Sequence, residues 1–137
     1  MARRVTPAER ATSTGQNNDM ERSIAVSAER VGSVGLYSSI VTTAPGGKTR
    51  IHHHGGCETS IYILAGQARY TWGPTGLEDS MDAGEGDFVY IPAGEIHVEE
   101  NASSDAPLVV VLTRNCPDSH VVYMDEAPEA GEAHPSR

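Results

Sequence analysis

The sequence lacks the features that mark several common classes of protein. Its 137 residues include 10 Lys and Arg against 19 Asp and Glu, which gives a formal net charge of −9. Binding to nucleic-acid phosphates or to anionic membranes needs clustered basic side chains, so we expect neither kind of partner. No apolar run is long enough to span a bilayer, and the first residues do not have the apolar stretch of a signal peptide. We therefore expect a cytoplasmic protein.

Cysteine and aromatic residues are also scarce. The two cysteines, Cys57 and Cys116, are too few for a disulfide framework in a chain without a secretion signal, so we predict two free thiols. The aromatic residues, which are five Tyr, one Trp and one Phe, fall mostly between positions 37 and 90. Their distribution indicates that the folded part is the middle of the chain.

Composition divides the chain into one domain and two tails. Residues 1–20 are polar without a periodic pattern, which predicts a flexible N-terminal arm. Residues 125–137 contain mostly Glu, Ala, Pro and other polar residues, which predicts a disordered acidic tail. Residues 21–124 between them have the size of a single domain.

The middle of the chain has no amphipathic helical pattern. Short runs rich in β-branched residues alternate instead with Gly and Pro turns, which is typical of strands. We predict strands over 23–28, 34–43, 50–54, 59–64, 67–72, 87–91, 96–101, 108–113 and 120–124, and a short polar strand or a loop over 77–83. The run over 108–113 is apolar on both faces and predicts a central strand. This pattern indicates an all-β sandwich or barrel.

Three histidines and a glutamate lie within the segment from His52 to Glu58. Because side chains alternate between the faces of a strand, His52 and His54 share one face and His53 points to the other, outward. Two imidazoles at this spacing can hold one metal ion, with further ligands from Glu58, which follows a Gly-Gly turn, and from His97. The alternative is a solvated histidine run that binds metal only adventitiously.

Two spaced motifs resemble those of the cupin superfamily. The first is Gly46-x5-His52-x-His54-x3-Glu58-x7-Gly66, and the second is Gly86-x5-Pro92-x-Gly94-x2-His97-x3-Asn101. The second matches the family pattern at every position, and the resemblance covers roughly residues 34–113. It implies a small cupin or jelly-roll β-barrel (a double-stranded β-helix) of two packed antiparallel sheets with little or no helix. It also implies a homodimer that exchanges N-terminal strands.

The resemblance further implies a metal centre inside the barrel, with His52, His54, Glu58 and His97 as ligands. Nitrogen and oxygen ligands of this kind suit one divalent ion, Zn, Fe(II), Mn or Ni, and do not choose among them. Such a centre would attract a small polar or anionic molecule.

One spacing departs from the family pattern. The family has six residues between the glutamate and the following glycine, whereas seven separate Glu58 from Gly66. Counting back by the family spacing reaches Thr59. Either a β-bulge absorbs the extra residue and leaves Glu58 facing the metal, or Thr59 faces it.

Side chains near the predicted ligands are candidates for catalysis and substrate binding. Glu99 shares a face with His97 and is a candidate general base, or it lies at an exposed strand end. Tyr62 has the same strand parity as Glu58 and is a candidate for both roles. Arg50, Tyr70 and Trp72 are candidate substrate-binding residues, for which the alternatives are solvent exposure for Arg50 and core packing for the two aromatic residues.

The cupin resemblance implies a metal-dependent enzyme acting on a small molecule, in which the metal is a Lewis acid or an O2-activating site. Dioxygenase, isomerase, lyase, cyclase and hydrazine-forming chemistry, including that of bacterial natural-product pathways, all remain open because a fold does not fix a reaction. The alternative is a cupin that binds a metal and a metabolite without turnover.

Overall fold

The structure of the chain is a computed structural model that describes residues 1–13, 19–73 and 76–124. Its strands are β1 (Ala11–Ser13), β2 (Met20–Val26), β3 (Tyr37–Thr43), β4 (His52–His53), β5 (Thr59–Ala65), β6 (Gln67–Trp72), β7 (Asp79–Gly84), β8 (Phe88–Ile91), β9 (His97–Asn101), β10 (Leu108–Arg114) and β11 (Val122–Tyr123). The short helices are a 3-10 helix (Pro7–Glu9) and α1 (Ala28–Val31). Among the described residues, no helix has the length and apolarity that crossing a membrane requires.

The strands form two antiparallel sheets. One has the order β1-β2-β3-β10-β5-β8, and the other has the order β11-β4-β9-β6-β7. The predicted all-β class is confirmed, and β10 is a central strand, as predicted, because it pairs with β3 on one side and with β5 on the other.

The core lies between the sheets and is built by strict alternation along the strands. On β5, Ile61 and Ile63 are completely buried, whereas Leu64 on the opposite face is 45% exposed. On β10, Leu108, Val110 and Leu112 face the core in the same way. Burial of such side chains is the main source of stability for a fold of this kind.

The turn between β5 and β6 depends on Gly66. Its φ is +97°, and a Cβ atom there would lie 2.6 Å from the Pro107 carbonyl oxygen. Only glycine combines this backbone conformation with so close a neighbour. The turn brings β6 into the second sheet, next to β9.

The structure gives parts of the chain more secondary structure than the sequence predicted. Within the predicted N-terminal arm, the 3-10 helix is followed by β1, which pairs with β2. Helix α1 is capped at its N-terminus by Ser27, whose side chain accepts a hydrogen bond from the Arg30 amide, and at its C-terminus by Gly32 in the left-handed conformation. Residues 14–18 of the arm and the whole predicted tail over 125–137 lie outside the described residues.

The prediction of two free thiols is wrong, because Cys57 and Cys116 form a disulfide with their Cα atoms 5.8 Å apart. Strand pairing explains the contact. Arg114 on β10 lies opposite Thr59 on β5, and continuing this antiparallel register by two residues brings the cysteines opposite each other. The disulfide therefore joins the start of β5 to the end of β10.

Candidate metal centre

Three histidines from two parts of the chain meet inside the fold. His52 on β4 lies opposite His97 on β9, and their ring centroids are 4.2 Å apart. The His54 ring lies 4.8 Å from that of His52 and 5.3 Å from that of His97. All three are buried. The structure therefore brings together the three histidines that the sequence predicted as metal ligands.

Each of the three imidazoles is oriented by a backbone carbonyl at Nδ1. The accepting oxygens are those of Arg50 for His52 at 2.7 Å, His120 for His54 at 2.7 Å and Glu95 for His97 at 2.8 Å. A carbonyl oxygen can only accept, so Nδ1 carries the proton in each ring. In a neutral imidazole Nε2 is then unprotonated and carries a lone pair. This is the form of histidine that binds a metal ion.

Glu99 completes the group. Its Oε2 atom lies 3.1 Å from His97 Nε2 and 3.5 Å from His52 Nε2. One ligand atom from each of the three histidines and Glu99 lies within 4.8 Å of the others. The Glu99 side chain is 14% exposed, so the group has one edge nearer to solvent. The predicted inward direction of Glu99 agrees with the structure.

Burial sets the protonation of the group. It lowers the pKa of His52, an effect that the nearby Glu99 carboxylate opposes. It lowers the pKa of His54 to about 2, and the Arg114 charge adds to this effect. Burial alone would raise the pKa of Glu99, but its interactions with His52 and His97 hold that pKa well below its usual range. At neutral pH Glu99 is therefore a carboxylate, and burial favours the neutral form of His52 and His54.

Glu58, predicted as the fourth ligand, is not part of this group. Its side chain is exposed, accepts a hydrogen bond from the Tyr90 hydroxyl at 2.7 Å and accepts another from the Asn115 amide at 3.1 Å. Thr59 faces inward instead and is 2% exposed. The pairing of β10 with β5 does shift register between Val109 and Val110, but that irregularity leaves Thr59, not Glu58, on the inner face.

Three further predictions differ from the structure. Tyr62 has the same strand parity as Glu58, as expected, but this parity places both on the outer face, where the Tyr62 ring packs 4.7 Å from that of Phe88. The Arg50 guanidinium lies over the Tyr123 ring at 4.0 Å rather than among the ligand atoms, so only the Arg50 carbonyl touches the group. His53, predicted to point outward, is buried, and its Nδ1 accepts a hydrogen bond from the Gly55 amide.

Tyr70 and Trp72 do lie beside the group. They line a cavity of about 140 Å³ together with Met81, Tyr90, Ile91, Glu95 and His97. Trp72 is opposite His97 and Tyr70 is opposite Glu99 in the pairing of β6 with β9. Burial and the Glu99 charge both raise the pKa of Tyr70, which therefore keeps its hydroxyl proton at neutral pH. The predicted wall of two aromatic residues agrees with this placement.

Arg114 is the residue near the group that our sequence reasoning missed. It is 1% exposed, its Nε donates to the Thr59 hydroxyl at 3.2 Å, and its Nη2 lies 3.5 Å from His54 Nε2. The last distance is too long for a strong hydrogen bond. A signal was present in the sequence, because Arg114 continues the alternation of Leu108, Val110 and Leu112 and therefore falls on the inner face of its strand.

This fold and site define a class. The chain belongs to the cupin domain family, whose model matches residues 39–114. No protein of curated function matches the sequence at a significant level.

Solved structures of oxalate decarboxylases have the same fold. A serine-to-alanine mutant of the Bacillus subtilis enzyme has a TM-score of 0.73 at 24% identity, over 86% of this chain and 31% of the other. The formate complex of the Lactobacillus farciminis enzyme has a TM-score of 0.73 at 18% identity, over 85% and 34%. A further structure of the Bacillus subtilis enzyme, which is described by its Mn(II) centres, has a TM-score of 0.71 at 24% identity, over 82% of this chain and 30% of the other. The chain thus spans about a third of the length of these proteins.

Proposed function

We propose that this cupin is a metal-dependent enzyme that acts on a small polar or anionic molecule at a centre formed by His52, His54, His97 and Glu99. One observation carries the proposal. One ligand atom from each of the three histidines and Glu99 lies within 4.8 Å of the others, and backbone carbonyls occupy the Nδ1 atoms, which leaves the Nε2 lone pairs for a ligand. Lone pairs in this arrangement repel, and a cation among them turns the repulsion into attraction.

The chemistry of the ligand atoms fits a divalent transition metal. Three imidazole nitrogens and one carboxylate oxygen suit Zn, Fe(II), Mn or Ni, and one of the structures similar to this chain is described by its Mn(II) centres. When bound, a divalent ion would supply a Lewis acid and, if redox-active, a site for O2 chemistry.

The residues around the cavity suit a substrate of only a few atoms. Its volume of about 140 Å³ is well below the roughly 300–1,000 Å³ of pockets for drug-sized ligands. Tyr70 and Trp72 provide apolar walls, and the protonated Tyr70 hydroxyl is available as a hydrogen-bond donor. Tyr90 is fixed at this cavity by its hydrogen bond to Glu58. Glu58, on the outer face of the strand, lies outside the proposed metal centre.

Decarboxylase chemistry joins the dioxygenase, isomerase, lyase, cyclase and hydrazine-forming classes as a candidate because of the similar structures. The alternative function is a cupin that binds a metal and a metabolite without turnover. Both functions need the same metal site, and they differ only in whether a bound substrate is converted.

The metal site is tested with protein purified without a histidine tag, stripped of metal and then loaded separately with Mn(II), Fe(II) and Zn(II). We expect close to one equivalent of at least one metal by elemental analysis, and loss of it in His97→Ala. His120→Ala is the matched control, because only the His120 backbone contacts the group. Metal content below about a tenth of an equivalent in the wild type after every loading contradicts the proposal.

Turnover is tested next with the metal-loaded protein. Oxalate and other small mono- and dicarboxylates are followed by 13C NMR together with O2 uptake. Product formation that requires both the metal and His97 supports an enzyme. Saturable binding without any product supports the alternative function.

A further inference from the structure

Arg114 is a buried cation with unfilled hydrogen-bonding capacity. Of its guanidinium nitrogens, Nε donates to Thr59 and Nη2 approaches His54, but Nη1 has no hydrogen-bond partner among the described residues. Burying a charged group costs free energy unless it is paired and hydrogen-bonded, and such unsatisfied groups are rare in native proteins. An unpaired guanidinium nitrogen inside the barrel therefore needs an explanation.

Two more polar atoms on the same inner surface are in the same state. The Tyr37 hydroxyl and the Ser39 hydroxyl are buried without a hydrogen-bond partner in the described part of the chain. Tyr37 is directly opposite Arg114 in the pairing of β3 with β10, and its ring lies under the guanidinium with 5.4 Å between the Arg114 Cζ atom and the ring centroid. Ser39 is two residues further along the same face of β3.

The unsatisfied atoms share a chemical preference. Arg114 Nη1 can only donate, and the two hydroxyls can donate as well. A guanidinium in a protein keeps its positive charge and five N–H donors. A cation with two hydroxyl donors on the same inner surface is complementary to an anion that has several acceptor oxygens, and the planar guanidinium fits a carboxylate best.

We propose that Arg114, Tyr37 and Ser39 form a carboxylate-binding subsite inside the barrel, which receives an acidic group of the substrate beside the histidine group. The Arg114 guanidinium binds the carboxylate through Nη1, and the hydroxyls of Tyr37 and Ser39 donate to it. The substrate class is then a small carboxylic acid with a second oxygen or nitrogen atom directed at His54 and its neighbours. This last point rests on the proposed metal centre, whereas the carboxylate subsite itself does not.

The subsite is tested first on metal-free protein, so that its outcome is independent of the metal. Acetate and the neutral, nearly isosteric acetamide serve as probes, each titrated at constant ionic strength while the melting temperature and the heat of binding are measured. We expect acetate to raise the melting temperature in a saturable way, as a ligand of the native state must, and acetamide to have no such effect. Equal effects of the two probes, or none of either, would overturn the subsite.

Three variants locate the binding. Tyr37→Phe removes only the unpaired hydroxyl and should leave the fold intact, since that hydroxyl has no partner to lose; we expect acetate affinity to fall several-fold. Arg114→Lys keeps the charge without the planar fork, and we expect a loss of tenfold or more. Arg69→Lys is the control, because Arg69 is an exposed arginine paired with Asp82. Acetate affinities in Tyr37→Phe and Arg114→Lys equal to the wild type would show that acetate binds elsewhere and would contradict the proposal.

The same titration on metal-loaded protein separates the two proposals. If the protein binds no metal after loading but acetate binding still depends on Arg114, the subsite stands and the metal centre fails. If the metal binds fully but acetate binding does not depend on Arg114, the metal centre stands and the subsite fails.

Discussion

Glu99 Oε2 lies 3.1 Å from His97 Nε2, although the two residues belong to one strand and no turn brings them together. Their spacing of two residues places both on the inner face of β9. If this pair is half of a metal site, Glu99→Gln should weaken metal affinity by about tenfold or more, since it replaces an anionic carboxylate ligand by a neutral amide. The measurement is a competitive titration of Mn(II) or Zn(II) against a chelating dye.

Glu58→Gln is the matched control, because it makes the same chemical change at an exposed carboxylate outside the group. We expect its metal affinity to equal that of the wild type. Loss of metal in Glu58→Gln together with full retention in Glu99→Gln would reverse the assignment of the carboxylate ligand.

The fold and most of the site follow from local sequence patterns. Strand alternation and Gly-Pro turns predicted the sheets, and the predicted strand over 67–72 has the bounds of β6. The spacing of His52 and His54 predicted a shared face, and the second motif predicted that His97 joins them. These predictions succeeded because each depends on strand period or on a short, fixed spacing.

Which carboxylate faces the histidines, and whether the two cysteines meet, depend on the register between distant strands. Local sequence patterns do not show this register. Parity correctly linked Glu58 to Tyr62, but only the pairing of Thr59 with Arg114 shows that both lie outside. The same pairing brings Cys57 opposite Cys116, which composition alone argued against. One strand register therefore accounts for three corrections.

Adjacent residues on β5 offer a test of the inner and outer faces. Ile63 is completely buried and Leu64 is 45% exposed. Ile63→Ala should destabilise the protein by about 2–5 kcal/mol, because it removes core contacts and leaves a cavity, whereas Leu64→Ala should cost less than about 1 kcal/mol. Urea unfolding followed by tryptophan fluorescence measures both. Similar losses in the two variants would contradict the described register of β5.

Asn101, the last position of the second motif, ties the loop after β9 to the rest of the domain. Its Nδ2 donates to the carbonyls of Thr43, Ala44 and Ala106, and its Oδ1 accepts from the Ser103 amide. Asn101→Asp replaces the donor by a buried oxygen facing carbonyl oxygens, and we expect a loss of about 3 kcal/mol or more. Thermal unfolding by circular dichroism measures it.

The control for that variant is Asn115→Asp, at an exposed asparagine whose Nδ2 donates to the exposed Glu58 carboxylate and whose Oδ1, kept in the variant, accepts from the Glu58 backbone amide. We expect a cost below about 1 kcal/mol there. Equal effects of the two Asn→Asp changes would show that the hydrogen bonds of Asn101 do not hold the loop.

The disulfide between Cys57 and Cys116 closes a loop across a sequence separation of 59 residues. Its replacement in a Cys57→Ser, Cys116→Ser double variant should destabilise the metal-free protein by about 2–4 kcal/mol, mainly because the unfolded chain gains conformational freedom. For a domain of this size that corresponds to a fall in melting temperature of the order of 10 °C. A reductant should lower the melting temperature of the wild type towards that of the double variant and leave the double variant unchanged. If the reductant has no effect on the wild type and free-thiol titration of the unfolded, unreduced protein finds both cysteines, the pair is not oxidised and its contribution to stability is absent.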